Sequence, residues 1–169
     1  MIHNIDPDIL FIVEGLNFAT DFTEGGGIKA NPIRQEELLV PHKLVYSAHY
    51  YDWHNGLART STYEEFKQDL DEKISFVASD SFSDPTPMWF GEFGTNKRNR
   101  EWNYFIRYLK DRPEISWSYW PLNGYKHDVT NDEAFGIYNG DFKTVRHNWK
   151  LSDMQDVQTR STDIKIGKL

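Results

Sequence analysis

Four short apolar runs limit what this chain can fold into. They are Ile9–Val13, Lys43–Ser47, Pro87–Phe90 and Ile115–Trp120. Three are almost continuously apolar or β-prone, the pattern of strands buried on both faces of a parallel sheet, and each is shorter than a typical helix. Helical patterns lie between them. Phe66, Leu70, Ile74 and Val77 recur at helical spacing, and Thr62 followed by Glu65 reads as a capping box at the start of that stripe. Trp102, Phe105, Ile106 and Leu109 form a second stripe, which Pro113 stops. A last helix is expected to begin near Leu151. The segment Leu16–Pro41 contains Gly25-Gly26-Gly27 and little periodicity, so it reads as a loop with at most a short helix around Gln35–Leu39. The alternation predicts an α/β fold with a parallel sheet. One domain is expected over residues 1–158, followed by a polar tail over 159–169.

Composition narrows the function. The chain has 169 residues, enough for one domain with a real core but short of the roughly 250 of a complete eight-fold β/α barrel. A net charge of −7 argues against a nucleic-acid groove, which needs a basic surface. No apolar stretch approaches the roughly 20 residues that span a bilayer, so no membrane partner is expected. The absence of cysteine removes disulfides, thiolate metal sites and Cys nucleophiles. The N-terminal residues lack the basic and apolar segments of a signal peptide, and the compartment stays open. Aromatic residues make up 15% of the chain, a content compatible with a carbohydrate cleft, although filling a core explains it better.

The chemistry concentrates where the runs end. The first ends in Glu14-Gly15-Leu16-Asn17 and the second in His49-Tyr50-Tyr51-Asp52-Trp53. The third ends in Gly91-Glu92-Phe93-Gly94-Thr95 and the fourth in Trp120-Pro121-Leu122-Asn123-Gly124. In parallel α/β folds the carboxyl ends of the strands form the site face. Glu92 follows four apolar residues, which also describes a charge at the end of a strand. Gly91 and Gly94 leave room for a ligand to approach it. A lone His at a strand end is more often structural than catalytic. His49, however, lies two residues before Tyr51, so both side chains face one side of a strand and can orient a neighbouring carboxylate. Trp120 fits either a core or a stacking floor for a sugar, and Glu14 either binds substrate or holds a loop. Gly25-Gly26-Gly27 lacks the Gly-Lys-Ser/Thr of a phosphate loop, and no Gly-x-Ser-x-Gly elbow occurs. Asn131-Asp132-Glu133 reads as a solvated loop. No metal-ligand spacing appears, and no cofactor is expected.

Taken in order, these pieces resemble the second half of family 5 glycoside hydrolases, the cellulase family of the (β/α)8 clan. Phe11-Ile12-Val13-Glu14-Gly15-Leu16-Asn17 matches strand five of that barrel, and Leu44–Tyr51 matches strand six. Trp89-Phe90-Gly91-Glu92-Phe93-Gly94-Thr95 matches strand seven, and Trp117–Gly124 matches strand eight. Glu133–Tyr138 and Val145–Trp149 resemble the final loop and helix. The resemblance implies half of a (β/α)8 barrel in a typically secreted family that hydrolyses β-linked polysaccharides with retention. It implies Glu92 as nucleophile, with His49 and Tyr51 beside it and Trp120 at the bond-cleaving subsite. Glu14 and Asn123 complete the expected substrate contacts.

The departure is equally specific. The family's acid/base Glu follows an Asn on strand four, and no Asn-Glu pair occurs in this chain. Retaining hydrolysis needs two carboxyl groups about 5–5.5 Å apart. Four strands cut from a barrel also expose two edges and an apolar face. A homo-oligomer that completes the barrel is therefore expected. The alternative to a hydrolase is a half-barrel that binds glycan or only assembles. A metal- or nucleotide-dependent enzyme has no motif to support it.

Overall fold

The structure is a computed structural model, and it describes residues 2–23, 27–34, 37–52, 62–125 and 133–158. Gly25-Gly26, Gln35, Trp53, Asn131-Asp132 and the tail beyond Gln158 lie outside these residues, so the expectations placed on them stay at the sequence level. The chain divides into two compact units. The first comprises Met1–Thr95 with Glu114–Trp120, and the second Asn96–Pro113 with Pro121–Leu169.

The first unit is built on one sheet of four parallel strands in the order β1-β2-β3-β4. They are β1 (Phe11–Glu14), β2 (Leu44–Tyr50), β3 (Met88–Phe93) and β4 (Ser116–Trp117). Strand order equals chain order, as in a barrel segment wound in one direction. Leu44, Tyr46, Ala48 and Tyr50 of β2 are buried together with Met88, Phe90 and Phe93 of β3. Between β2 and β3 runs helix α2 (Tyr63–Lys73). Its start follows from the sequence: the Thr62 hydroxyl accepts from Glu65 N, and the Glu65 carboxylate accepts from Thr62 N. Phe66 and Leu70 are buried, and the stripe continues through Ile74 and Val77 into a 3-10 turn at Ser75–Ala78.

Two local features depart from the pattern. The one-turn segment α1 (Leu16–Ala19) is not a right-handed helix, since Asn17, Phe18 and Ala19 have φ of 52°, 57° and 57°. L-residues avoid this region because Cβ crowds the following carbonyl. The fourth strand has two residues where the apolar run suggested six. Hydrogen bonds from Ser118 N to Phe90 O and from Trp120 N to Phe93 O still tie the rest of the run to β3.

The second unit holds α3 (Arg100–Asp111) and α4 (Asn148–Gln155). Trp102, Phe105, Tyr108 and Leu109 form the buried stripe of α3. Tyr108 takes the fully buried place that periodicity gave to Ile106. Asp153 joins the helices: it accepts from Arg98 Nε and Nη2 at 3.1 and 2.8 Å and from Trp102 Nε1 at 2.7 Å.

Lys150 of α4 is completely buried, and its Nζ donates to the carbonyls of Phe135 and Gly136 at 2.8 and 3.3 Å. Burial, with Arg146 adding to it and Glu133 opposing it, pulls the Lys150 pKa down to about 8. The unfolded chain keeps this proton to its ordinary value of 10.5, so between these values the unfolded state binds more protons and stability rises with pH. From about pH 7.5 to about 9.5 the expected gain is about 2 kcal/mol. Burial raises the Tyr46 pKa above 10.0, and this opposes the gain only at higher pH. Urea titrations at the two pH values check it: the rise appears in the parent chain and is absent in Lys150→Met.

Candidate active site

Parallel strands bring their carboxyl ends to one edge, and Glu14, His49 and Glu92 meet there. In β2, His49 is opposite Glu92 of β3, although Ala48 is opposite Phe90. The register therefore slips by one residue, with Gly91 as the extra one. Strict alternation would put Glu92 on the face of Met88 and Phe90, which are buried. The slip turns it instead to the face of His49 and sends Phe93 into the core, against Trp117 and Tyr119 at ring distances of 5.7 and 5.3 Å. Ser118 holds the irregularity in place, since its hydroxyl donates to the Gly91 carbonyl.

Around Glu92 the contacts are polar and close. The Tyr51 hydroxyl donates to Glu92 Oε2 at 2.9 Å. His49 Nδ1 is 3.7 Å from the same oxygen, and His49 Nε2 is 3.3 Å from Glu14 Oε1. Ser47 Oγ donates to that Glu14 oxygen at 3.4 Å. The Glu92 side chain is one-third exposed, accessible from the open face yet held by its neighbours. A carboxylate with a phenol donor and an imidazole beside it is oriented for nucleophilic attack or charge stabilisation. Among the described residues no group of three or more His, Cys, Asp or Glu side chains could hold a metal ion.

The structure thus brings together Glu14, His49, Tyr51 and Glu92. Trp120 follows β4 in the same unit with half its surface exposed. Asn123 belongs to the second unit, where its Oδ1 accepts from Tyr125 N at 3.0 Å and its backbone bridges to Tyr138. Sequence reasoning missed Ser47 and Ser118. The spacing held a signal for Ser47, which lies two residues before His49 and so shares its face.

Gly91 has a further reason to be glycine. A Cβ there would stand 2.6 Å from Ser47 Oγ and 3.5 Å from His49 Nε2. Much of the space it leaves is thus filled by groups of β2. Gly91→Ala is expected to lower stability by about 1–2 kcal/mol. Adding Ser47→Ala, which removes the clashing oxygen, recovers part of that loss. Urea denaturation of the single and double variants measures the coupling.

The chain is similar to known proteins in sequence and in fold. The sequence model of the cellulase family, glycosyl hydrolase family 5, matches residues 1–126. A glycosyl hydrolase 5 family protein of Chamaecyparis obtusa is 26% identical over 174 residues, spanning 93% of this chain and 30% of its own length. Among solved structures, the hyperthermophilic endocellulase of Pyrococcus horikoshii is similar with a TM-score of 0.65 and 21% identity, over 93% of this chain and 45% of that one. A variant of an endocellulase from Pyrococcus horikoshii has been solved with cellotetraose. The Pseudomonas stutzeri endoglucanase Cel5A is similar with a TM-score of 0.58 and 19% identity, over 97% of this chain and 48% of that one. At these identities the structural likeness concerns the fold. The chain spans about a third to a half of the length of these relatives.

Proposed function

The chain belongs to glycosyl hydrolase family 5, and from that premise we propose that its site cleaves O-glycosidic bonds of β-linked glucan with retention, using Glu92 as nucleophile. The observation that carries this is the placement of Glu92 by the register slip, with Tyr51 donating to its Oε2 at 2.9 Å and His49 Nδ1 standing 3.7 Å from the same oxygen. The Glu92 carboxylate attacks the anomeric carbon, the bond to the leaving sugar oxygen breaks, and that oxygen takes its proton from solvent water. The resulting glycosyl-enzyme is then hydrolysed by water. Tyr51 and His49, both at Oε2, orient the carboxylate for that attack. The exposed Trp120 ring offers a flat apolar face on which a pyranose can stack. The cellotetraose bound by the Pyrococcus horikoshii enzyme supports a β-linked glucose polymer as substrate class.

We assign no acid/base within these residues. Retention needs a second carboxyl about 5–5.5 Å from the first, and the family's Asn-Glu pair does not occur in this chain. That observation favours a second reading, a half-barrel that binds glycan without turning it over. Hydrolysis of soluble β-glucan and carboxymethyl cellulose, measured for the parent chain and for Glu92→Gln, separates the two. Turnover lost in the variant supports the hydrolase, and binding without turnover in both supports the second reading.

The open face of the sheet supports an assembly. Leu10, just before the edge strand β1, and Ile12 within it are 54% and 51% exposed. We propose that a second copy of the chain covers this edge. Sedimentation is expected to show a dimer or larger species at micromolar concentration. A stable, folded monomer contradicts this.

A further inference from the structure

Of the two carboxylates that meet His49, Glu14 is the one to which the retaining scheme gives no step. We propose that Glu14 is a positioning residue that fixes the His49 imidazole against Glu92. This role concerns turnover only if Glu92 is the nucleophile, and to that extent it rests on the reading above.

The geometry runs as a chain across three strands. Glu14 Oε1 on β1 faces His49 Nε2 at 3.3 Å, and His49 Nδ1 on β2 faces Glu92 Oε2 on β3 at 3.7 Å. The two ring nitrogens thus address two different carboxylates. Flipping the ring by half a turn would present carbon to both, so the pair of contacts selects one orientation. The backbone register explains why a glutamate is needed. Glu14 is level with Ser47, two residues before His49, so its carboxylate must reach along the strand direction. The Ser47 hydroxyl steadies it there. On the β3 side a Cβ at residue 91 would stand 3.5 Å from His49 Nε2, and glycine supplies no side chain there to grip the ring. Among the described residues, the charged groups facing the imidazole are Glu14 from β1 and Glu92 from β3, with Tyr51 reaching the same Glu92 oxygen. Partners that orient a functional imidazole commonly change activity by about ten- to a hundredfold when removed.

A positioning role and a substrate-binding role differ in what they move. Two readouts on the whole chain test the proposal. The first needs no activity: the His49 ring N–H proton, observed by NMR with a nitrogen-15-labelled ring. It is expected as a protected signal in the parent, retained in Glu14→Gln, which keeps the length and an acceptor oxygen, and lost in Glu14→Ala. Identical ring signals in the parent and Glu14→Ala overturn the proposal. Because the Glu14 side chain is more than half exposed, neither variant is expected to disturb folding. The second readout is kinetic. Glu14→Ala is expected to lower kcat by about ten- to a hundredfold with KM unchanged, and Glu14→Gln to recover most of it. A raised KM with kcat unchanged assigns Glu14 to substrate and overturns the positioning role. If the parent chain shows no turnover, the hydrolase reading fails while the ring signal still decides whether Glu14 holds His49.

Discussion

Glu92→Gln is expected to lower hydrolysis of soluble β-glucan and carboxymethyl cellulose by about a thousandfold or more while leaving the fold unchanged. Glutamine has nearly the shape of glutamate and keeps an oxygen that accepts from Tyr51. It is neutral, however, and cannot form a glycosyl ester. Circular dichroism and the urea midpoint should match the parent, since the replaced side chain sits at a partly exposed strand end. Oligosaccharide binding should persist, because the Trp120 ring is untouched. Turnover that survives this substitution removes Glu92 from the chemistry.

Gly136→Ala is expected to have the largest effect on stability, about 3 kcal/mol, at the upper end of what overpacking costs. A Cβ at residue 136 would stand 2.5 Å from Gly124 N, 2.8 Å from Asn123 C and 2.8 Å from Tyr138 O. All three are backbone atoms, so no rotamer change relieves the clash. The strain falls on a stitched pair of segments: Ile137 N donates to Pro121 O, Tyr138 N to Leu122 O, and Gly124 N to Tyr138 O. Lys150 grips the same turn from beneath through the Phe135 and Gly136 carbonyls. Gly91→Ala should cost less, because its nearest obstacle is a hydroxyl that can rotate away. Equal losses in the two variants, read from urea midpoints, would contradict this ranking.

What the sequence made legible follows the range of the interactions. The capping box at Thr62 and Glu65 is a local device, and it forms as read. The four parallel strands followed from apolar runs alternating with helical stripes. The meeting of Glu14, His49 and Glu92 followed from a general property of parallel sheets, whose strand ends share one edge. The register slip between Ala48 and His49 was not legible. It depends on Ser47 of β2 and Ser118 just past β4, which fill and pin the place where Gly91 lacks a side chain. The left-handed backbone at Asn17, Phe18 and Ala19 was equally hidden, since no glycine marks it. Asn123 stood beside Trp120 in the sequence, yet it folds into the second unit. Nothing in the spacing of the Trp120–Asn123 run announces that boundary.

Trapping the covalent intermediate tests the central claim most directly. A 2-fluoro-substituted β-glucosyl or cellobiosyl donor slows breakdown of a glycosyl-enzyme enough for intact-mass measurement and peptide mapping. One added glycosyl group per chain, located on Glu92 and absent from Glu92→Gln, is the predicted result. A label on Glu14 or any other carboxylate, with Glu92 unmodified, would contradict it.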